Sequence, residues 1–476
     1  MTRGVSFSTL IAGLLLLAVA VLACLMPAQS DTYWALRAGQ DIWRTGHIPT
    51  VDTYSFTATG RPWPDHEWLW QVLAYGLYSV GGMPLLTAVS AALVVTSLGI
   101  VWRLMVGPPS LRFFLMLVAI PLSALVWAPR PQIVTLLLLA LLARALVQER
   151  YALLPLLFVC WANVHGGVVL GGWLLAATTL AAAARAFMTG AAADRRRLRW
   201  LVVTGFCCAL GCAVTPMGWG LFRFVLASEE RLRQARVNEW LPPTLGFSVD
   251  GAVWIVGLAF VLLLAWRWRS AARDGWPTVA VVAGAAALMP LAFRSVRHVG
   301  PFLLLAPAAA SRLLGADFRW RRAAADAGAV ADRPRLNTAL LNIAAAAGAV
   351  VVALAWSRPL AALGWRPLSV QALAAVRACP DPIYNHYNQG GYLLWFAPEK
   401  KVFVDSRQDP YPLPFLLEHL AIESGDAPWQ PLFQRYGVRC AILGPRSPTV
   451  AALDQAGWRT LYRDSSWSIQ SADAAP

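Results

Sequence analysis

Between Asp31 and Trp68 the chain collects five carboxylates (Asp31, Asp41, Asp52, Asp65 and Glu67), two of its six histidines (His47 and His66) and many aromatic rings. Carboxylates and histidines take protons from hydroxyl groups and hold them, and the tryptophans offer faces on which sugars and isoprenoid chains stack. Asp31 follows the first apolar run with no cation near it in sequence. It reads either as the N-cap of a following helix or as a general base at a membrane surface. Positions 31–44 have amphipathic helical spacing, with Arg37, Asp41 and Arg44 on one arc and Trp34, Ala38 and Ile42 beside it. That pattern suits a helix in the membrane interface with Trp34 at headgroup depth, and it makes Asp41 an ion-pair partner of Arg37 and Arg44. In Pro64-Asp-His-Glu-Trp68, Asp65 reads equally as a helix N-cap and as part of a site. In the second reading Asp65, His66 and Glu67 bind a divalent ion, Mg2+ or Mn2+, or a sugar hydroxyl. Consecutive residues of a regular helix diverge, so all three cannot serve one ion from a helix.

Further polar clusters interrupt the later apolar runs: Trp127-Ala-Pro-Arg-Pro-Gln132, Trp161-Ala-Asn-Val-His165, Thr215-Pro-Met-Gly218, Asn238-Glu-Trp-Leu-Pro-Pro243 and Arg294-Ser-Val-Arg-His298. Asn163 and His165 stand where a helix gives way to Gly166 and Gly167. Polar groups at that depth face a cavity or another helix, as a hydrogen-bonded pair or as substrate contacts. Arg130, Arg294, Arg297 and His298 suit a phosphate or pyrophosphate through forked, charge-assisted hydrogen bonds, although snorkelling to headgroups gives the same pattern. Glu239 completes the substrate-binding candidates. Near the C-terminus, Asn385–Tyr392 and Val404–Tyr411 follow strand-like runs and place polar residues at strand ends, where α/β sheets bind ligands. Neither contains a P-loop or GxGxxG, and Asp405, Arg407 and Asp409 read equally as a salt-bridged turn.

The elements that must hold these groups are apolar. The chain has 476 residues, 58% hydrophobic and only 14% charged, with mean hydropathy +0.53. That composition belongs to polytopic membrane proteins. With about 20 apolar residues needed per crossing, spans fall near 8–28, 81–102, 110–128, 131–148, 151–164, 167–188, 200–217, 250–266, 277–293, 299–315 and 336–357, about eleven in all. The first, with only Arg3 upstream, reads as an uncleaved helix. The formal charge of +15 comes almost wholly from arginine, because Lys400 and Lys401 are the only lysines. Those arginines punctuate the spans instead of gathering on one face, which argues against a nucleic-acid partner. Placing the N-terminus in the cytoplasm puts Arg103 and Arg112, Arg144 and Arg150, Arg185 with Arg195–Arg199, Arg267–Arg273 and Arg312–Arg335 inside. Arg231, Arg233 and Arg236 dissent. The polar clusters then all lie on the outer face. Residues 1–357 form the transmembrane domain, with a first outer loop at 29–69, and 316–335 is a cytoplasmic linker. Residues 358–476 read as an extracytoplasmic α/β domain, with strands at Ile383–Asn385, Lys401–Asp405 and Val438–Leu443 and helices at Pro412–Ser424 and Pro448–Gly457. Cys379 and Cys440 fall in that domain and could pair if it is extracytoplasmic.

The blocks DTYWALRAGQDIW, HIPTVDTYSFTATGRPWPDHEWL, WANVHGG, TPMGW, NEWLPP, RSVRH and NQGGYLLWF…VFVDSRQDPY, spread over nearly the whole chain, resemble those of a group of bacterial polytopic proteins of the GT-C glycosyltransferase superfamily type. The resemblance implies a transferase in the bacterial cytoplasmic (inner) membrane. It implies a polyprenyl-phosphate-linked sugar donor used on the outer face and a glycan, lipid or protein acceptor. It maps the early acid of such enzymes, base or metal ligand, onto Asp31, and the acid of the HEW block onto Glu67. Two departures stand out: Gln29 where the pattern often has an acid, and Ala35 where it has a histidine.

The expectation is therefore an inverting transferase in which Asp31, or second Glu67, deprotonates the acceptor. Asp65, His66, Trp34, Arg130, Asn163, His165, Glu239, Arg294, Arg297 and His298 contact substrate, with the arginines on the departing phosphate. The alternative is a non-enzymatic transporter, flippase or scaffold for lipid-linked envelope precursors. A transporter predicts inverted repeats and a polar path through the bilayer, and the sequence shows neither.

Overall fold

A computed structural model describes residues 4–235, 237–246, 251–315, 332–357 and 362–472. The expected linker as far as residue 331, and Arg236, lie outside the described residues. The helices in chain order are α1 (Phe7–Cys24), α2 (Ser30–Thr45), α3 (Trp68–Leu104), α4 (Pro109–Ser123), α5 (Gln132–Val147), α6 (Leu154–Val164), α7 (Val168–Thr189), α8 (Ala192–Cys212), α9 (Gly220–Gln234), α10 (Ala252–Arg273), α11 (Trp276–Arg294), α12 (Val299–Gly315) and α13 (Pro334–Ser357). There follow α14 (Val370–Ala378), β1 (Ile383–Asn385), α15 (Gly390–Phe396), α16 (Leu413–Ser424), α17 (Gln430–Tyr436), β2 (Cys440–Leu443), α18 (Pro448–Gln455), β3 (Arg459–Arg463) and β4 (Ser468–Ser471). Among the described residues seven helices are long and apolar enough to cross a membrane: α1, α3, Pro109–Val126, α7, α10 within Ala252–Arg269, α11 and α13. Helices α5 and α6 are apolar but shorter.

The chain forms two compact units. One comprises Met1–Met26, Thr87–Glu229 and Arg236–Ala355, the other Pro27–Leu86, Glu230–Ala235 and Trp356–Pro476. In the first unit α11 packs on α12, α7, α10 and α5, while α12 also packs on α4 and α6 lies on α8. Its outward side chains include Leu180, Phe187, Ile255 and Ile343, all largely exposed. Large apolar groups in such numbers on a surface call for lipid and not water, so the chain is a multi-pass membrane protein.

The second unit joins the stretch after α1 to the C-terminal residues. A four-stranded sheet has the order β1-β2-β4-β3. Strands β1 and β2 are parallel, β2–β4 and β3–β4 antiparallel. Its core packs Ala58 from the first loop with Tyr384, Phe403, Phe415, Leu432, Phe433 and Leu443. Cys379 and Cys440 are joined by a disulfide. The expected strand Lys401–Asp405 gains no ladder. Its Val402 instead bridges Ser55, with Phe56 N–H donating to Val402 O (3.2 Å) and Val402 N–H to Tyr54 O (3.2 Å). Strands β3 and β4 escape a sequence reading because they are short and largely polar.

The expected helix over 31–44 forms as α2, but its apolar arc is not left for lipid. Tyr33 and Leu36 are fully buried and Trp34 nearly so. The covering element is α15, brought close by the pair Gly390-Gly391. A Cβ on Gly391 would stand 2.2 Å from Ser30 O, and one on Gly390 2.2 Å from Val404 O. Gly391 N–H donates to Ser30 Oγ (3.0 Å), and the Tyr33 ring packs on Tyr392 and Phe396 at 5.4 and 5.0 Å. Gly391 thus serves the close packing of α15 on α2, and Gly390 the close approach of the backbone at Val404.

Candidate functional site

Two clusters, one in each unit, gather the residues singled out in the sequence. In the second unit Asp31 lies in the first turn of α2, behind Gln29 at the N-cap position. It is therefore not the cap. Its Oδ1 accepts from Ser406 Oγ and from Trp34 Nε1 (3.3 Å). Trp34 in turn meets the Trp63 ring edge-on at 6.4 Å. Asp41 pairs with Arg37 (3.1 Å) and also accepts from Tyr54 Oη (2.7 Å).

The residue after Ser406 anchors the unit. Arg407 is fully buried, donates to both oxygens of Asp405 and reaches Asp52 Oδ1 at 2.6 Å. Its guanidinium lies 4.8 Å from the centroid of Tyr54 and 4.5 Å from that of Trp63. Tyr411 Oη and Ser55 Oγ satisfy the remaining lone pairs of Asp405 and Asp52 (2.8 and 2.6 Å). A buried ion pair of this kind holds together only when its other lone pairs are met.

Next to it, α3 begins at Trp68, three residues after Asp65, so Asp65 does not sit at its N-cap position. It is 5% exposed. Its Oδ1 accepts from Gln71 Nε2 (2.6 Å) and Glu67 N–H (3.4 Å), while Oδ2 is buried with no hydrogen-bond partner among the described residues. Burial pushes its carboxyl up to about 7, against the pull of the Gln71 hydrogen bond. His66 Nε2 stands 3.5 Å from Glu67 Oε1. Asp409, paired with Arg231 at 3.1 Å, is likewise pushed up by burial to about 6, against the pull of His66 and Arg231. Asp52, Gln71, Ser406 and Asp409 were not assigned to this site from the sequence. Arg231 was visible only as an arginine on the wrong side of the topology rule. Among the described residues no three His, Cys, Asp or Glu side chains stand close enough together to hold a metal ion.

In the first unit Glu239 joins two arginines. Its Oε2 accepts from Arg130 Nη2 (2.9 Å) and its Oε1 from Arg297 Nη1 (2.6 Å). Arg297 Nη2 meets His165 Nε2 at 3.3 Å, and His165 Nδ1 meets Thr135 Oγ1 at 2.8 Å, which also accepts from Trp161 Nε1 at 2.9 Å. The Arg297 guanidinium lies 4.8 Å from the Trp240 ring centroid, and Trp240 meets His298 edge-on at 6.1 Å. Burial alone would raise the Glu239 carboxyl, but Arg297 and Arg130 bring it down to about 2. Burial, with Arg297 beside it, lowers His298 to about 4, so the imidazole is neutral at pH 7.

Four separate sequence blocks supply this cluster. Arg130, His165, Glu239, Arg297 and His298 come together in it. Asn163 ties the end of α6 to the turn after α8 by donating to Val159 O and Val214 O (2.9 and 2.7 Å). Arg294 is half-exposed and pairs with Glu229 (2.9 Å), not with Glu239.

The fold is one shared with a polytopic membrane glycosyltransferase. In particular it is similar to the archaeal oligosaccharyltransferase AglB from Archaeoglobus fulgidus, solved in complex with an inhibitory peptide and a dolichol-phosphate. The TM-score is 0.54 at 13% identity, over 91% of this chain and 69% of that one. The apo form of the Archaeoglobus fulgidus oligosaccharyltransferase aligns at TM-score 0.48 and 13% identity, over 90% and 69% of the two chains. No protein-family model and no curated protein matches the sequence.

Proposed function

We propose that the chain is an inverting glycosyltransferase of GT-C type in the bacterial cytoplasmic membrane. It moves a sugar from a polyprenyl-phosphate-linked donor to an envelope glycan, lipid or protein on the outer face. The observation that carries this reading is the gathering of acids from both ends of the chain, Asp31, Asp65, Glu67 and Asp409, into one compact unit beside a helix N-terminus. Asp31, or second Glu67, takes the proton of the acceptor hydroxyl. The hydroxyl oxygen attacks the anomeric carbon, the bond from that carbon to the phosphate oxygen breaks, and polyprenyl phosphate leaves. The likeness in fold to AglB supports the reading, as does the dolichol-phosphate in that protein's structure. The disulfide between Cys379 and Cys440 suits an extracytoplasmic second unit.

The test is a deletion strain complemented with Asp31→Asn or Glu67→Gln, with lipid-linked sugars and envelope glycans read by mass spectrometry. The reading expects the deletion to lose a glycan and accumulate its polyprenyl donor, and Asp31→Asn to reproduce this at normal protein levels. Wild-type glycans from both variants, in a strain whose deletion has a phenotype, would sink the carboxylate mechanism.

A further inference from the structure

We infer that a cleft in the second unit, between α2, the first loop and the turn after α15, binds an acidic sugar. Arg37 and Lys401 grip its carboxylate or phosphate, and Asp41 takes a hydroxyl. The inference rests on the transferase reading only in naming that sugar as part of the acceptor.

The cleft lies wholly within the second unit. Its walls are Arg37 and Asp41 of α2, Thr53 and Tyr54 of the first loop, and the 398–401 turn. Its volume, about 510 Å3 up to the open mouth, falls in the range of small-molecule sites, ~300–1,000 Å3. The walls are joined to one another without a ligand. Tyr54 Oη donates to Asp41 Oδ2 (2.7 Å), Val402 N–H to Tyr54 O and Phe56 N–H to Val402 O (both 3.2 Å). A site formed in advance spares the ligand the cost of ordering it. Lys401 is exposed between Lys400 and Val402, which are both buried. Successive side chains on bridged backbone face opposite ways, so the inward packing of its neighbours turns Lys401 outward.

Charge and open hydrogen-bonding positions set the ligand class. Lys400 Nζ is taken up by Cys379 O (2.6 Å) and Asp381 (3.1 Å), and Glu399 pairs with Arg377 (3.1 Å). Arg37 Nε pairs with Asp41 Oδ2 (3.1 Å). The Lys401 ammonium has no ion pair or hydrogen bond among the described residues, so the lining carries one uncancelled positive charge. The two Nη groups of Arg37 likewise make no hydrogen bond among the described residues, and the side chain is partly exposed. These donors suit a carboxylate or a phosphate. Asp41 is also partly exposed, and both its partners meet Oδ2, which leaves Oδ1 to accept. That oxygen repels a bare anion but is matched by an anion that also carries hydroxyls, as an acidic sugar does. Along the axis of α2, Arg37 and Asp41 stand roughly 9 and 15 Å beyond Asp31, at 1.5 Å per residue. The cleft therefore holds a part of the acceptor remote from the hydroxyl that reacts.

The test uses the full chain in phosphatidylcholine nanodiscs, titrated by calorimetry with trigalacturonic acid, with glucose 6-phosphate and with neutral galactotriose. Wild type is expected to bind at least one of the two acids roughly tenfold or more tightly than galactotriose. Which acid it prefers tells a carboxylate from a phosphate. Lys401→Gln is expected to weaken that binding roughly tenfold and Lys401→Arg to retain it, both at the wild-type melting temperature. Three results each overturn the proposal: no binding of either acid, galactotriose bound as tightly as the acids, or acid binding unchanged in Lys401→Gln. Displacement of the acid by phosphatidylglycerol built into the discs gives the cleft to lipid headgroups and also overturns it. The transferase reading fails separately. If the acid binds through Lys401 but the Asp31→Asn strain keeps its glycans, the sugar site survives and the transfer does not. If that strain loses its glycan while neither acid binds, the transfer survives and the sugar site does not.

Discussion

Asp65 gives the sharpest prediction, because its cost to the folded chain can be worked out with its sign. The carboxyl is 5% exposed with Oδ2 unpartnered among the described residues, and burial moves it from 3.8 to about 7. An acid raised on folding adds stability that is whole below its unfolded value and is lost as pH climbs to its folded value. The losing window is thus pH 4 to 7. At about 1.36 kcal/mol per unit, the folded state is weaker by something on the order of 4 kcal/mol at pH 7 than at pH 4. Asp65→Asn removes that penalty. Its amide oxygen still accepts from Gln71 Nε2, and an NH2 group replaces the unpartnered oxygen.

The variant should therefore match wild type at pH 4 and exceed it increasingly up to pH 7, levelling beyond. For a compact unit of this size the gap corresponds to roughly 8–16 °C in melting temperature. Asp409, raised to about 6, is present in both proteins and cancels in the difference. The assay is thermal unfolding of both proteins in one detergent from pH 4 to 8. An offset that stays constant across that range, or a variant weaker at pH 7 than at pH 4 relative to wild type, refutes the reasoning. A chain that keeps an acid at such a cost has a use for it. Under the proposed function the stabilised variant should also lose glycan transfer.

Two further substitutions test the frame that holds the site. Arg407→Met leaves Asp52 and Asp405, both fully buried, without their cation. It should cost roughly 3–5 kcal/mol, read as a lower melting temperature that adding Asp52→Asn partly restores. Gly391→Ala drives a methyl to 2.2 Å from Ser30 O and should cost about 1–3 kcal/mol, seen as faster proteolysis. Gly172→Ala, whose methyl meets nothing within 4 Å inside α7, serves as the control and should be neutral or stabilising.

The apolar spans were legible because their composition alone demands lipid, and β1, α16 and α18 because their short patterns are bounded by proline or glycine. What the sequence could not show was which distant charges meet. Arg407 finds Asp52 across 355 positions, and Ser406 finds Asp31 across 375. No local periodicity encodes such pairings. A partial signal existed, however, in the arginines of the polar clusters and in the dissenting Arg231. Arg130 and Arg297 meet Glu239, Arg294 meets Glu229, and Arg231 meets Asp409. The interfacial reading of α2 failed for a related reason. Its apolar arc was real, but the partner that covers it, α15, lies some 350 residues later.

That separation bears on how the protein is made. Ribosomes deliver about 5–20 residues per second, so the 355 positions between Asp52 and Arg407 take about 20–70 s to emerge. Throughout that interval the first loop has neither the guanidinium that neutralises Asp52 nor the helix that covers Tyr33. It stays without either partner while the intervening chain is made. Closure of the acidic unit is therefore among the last events of biogenesis, and a nascent chain released early carries its acids without the frame that orders them.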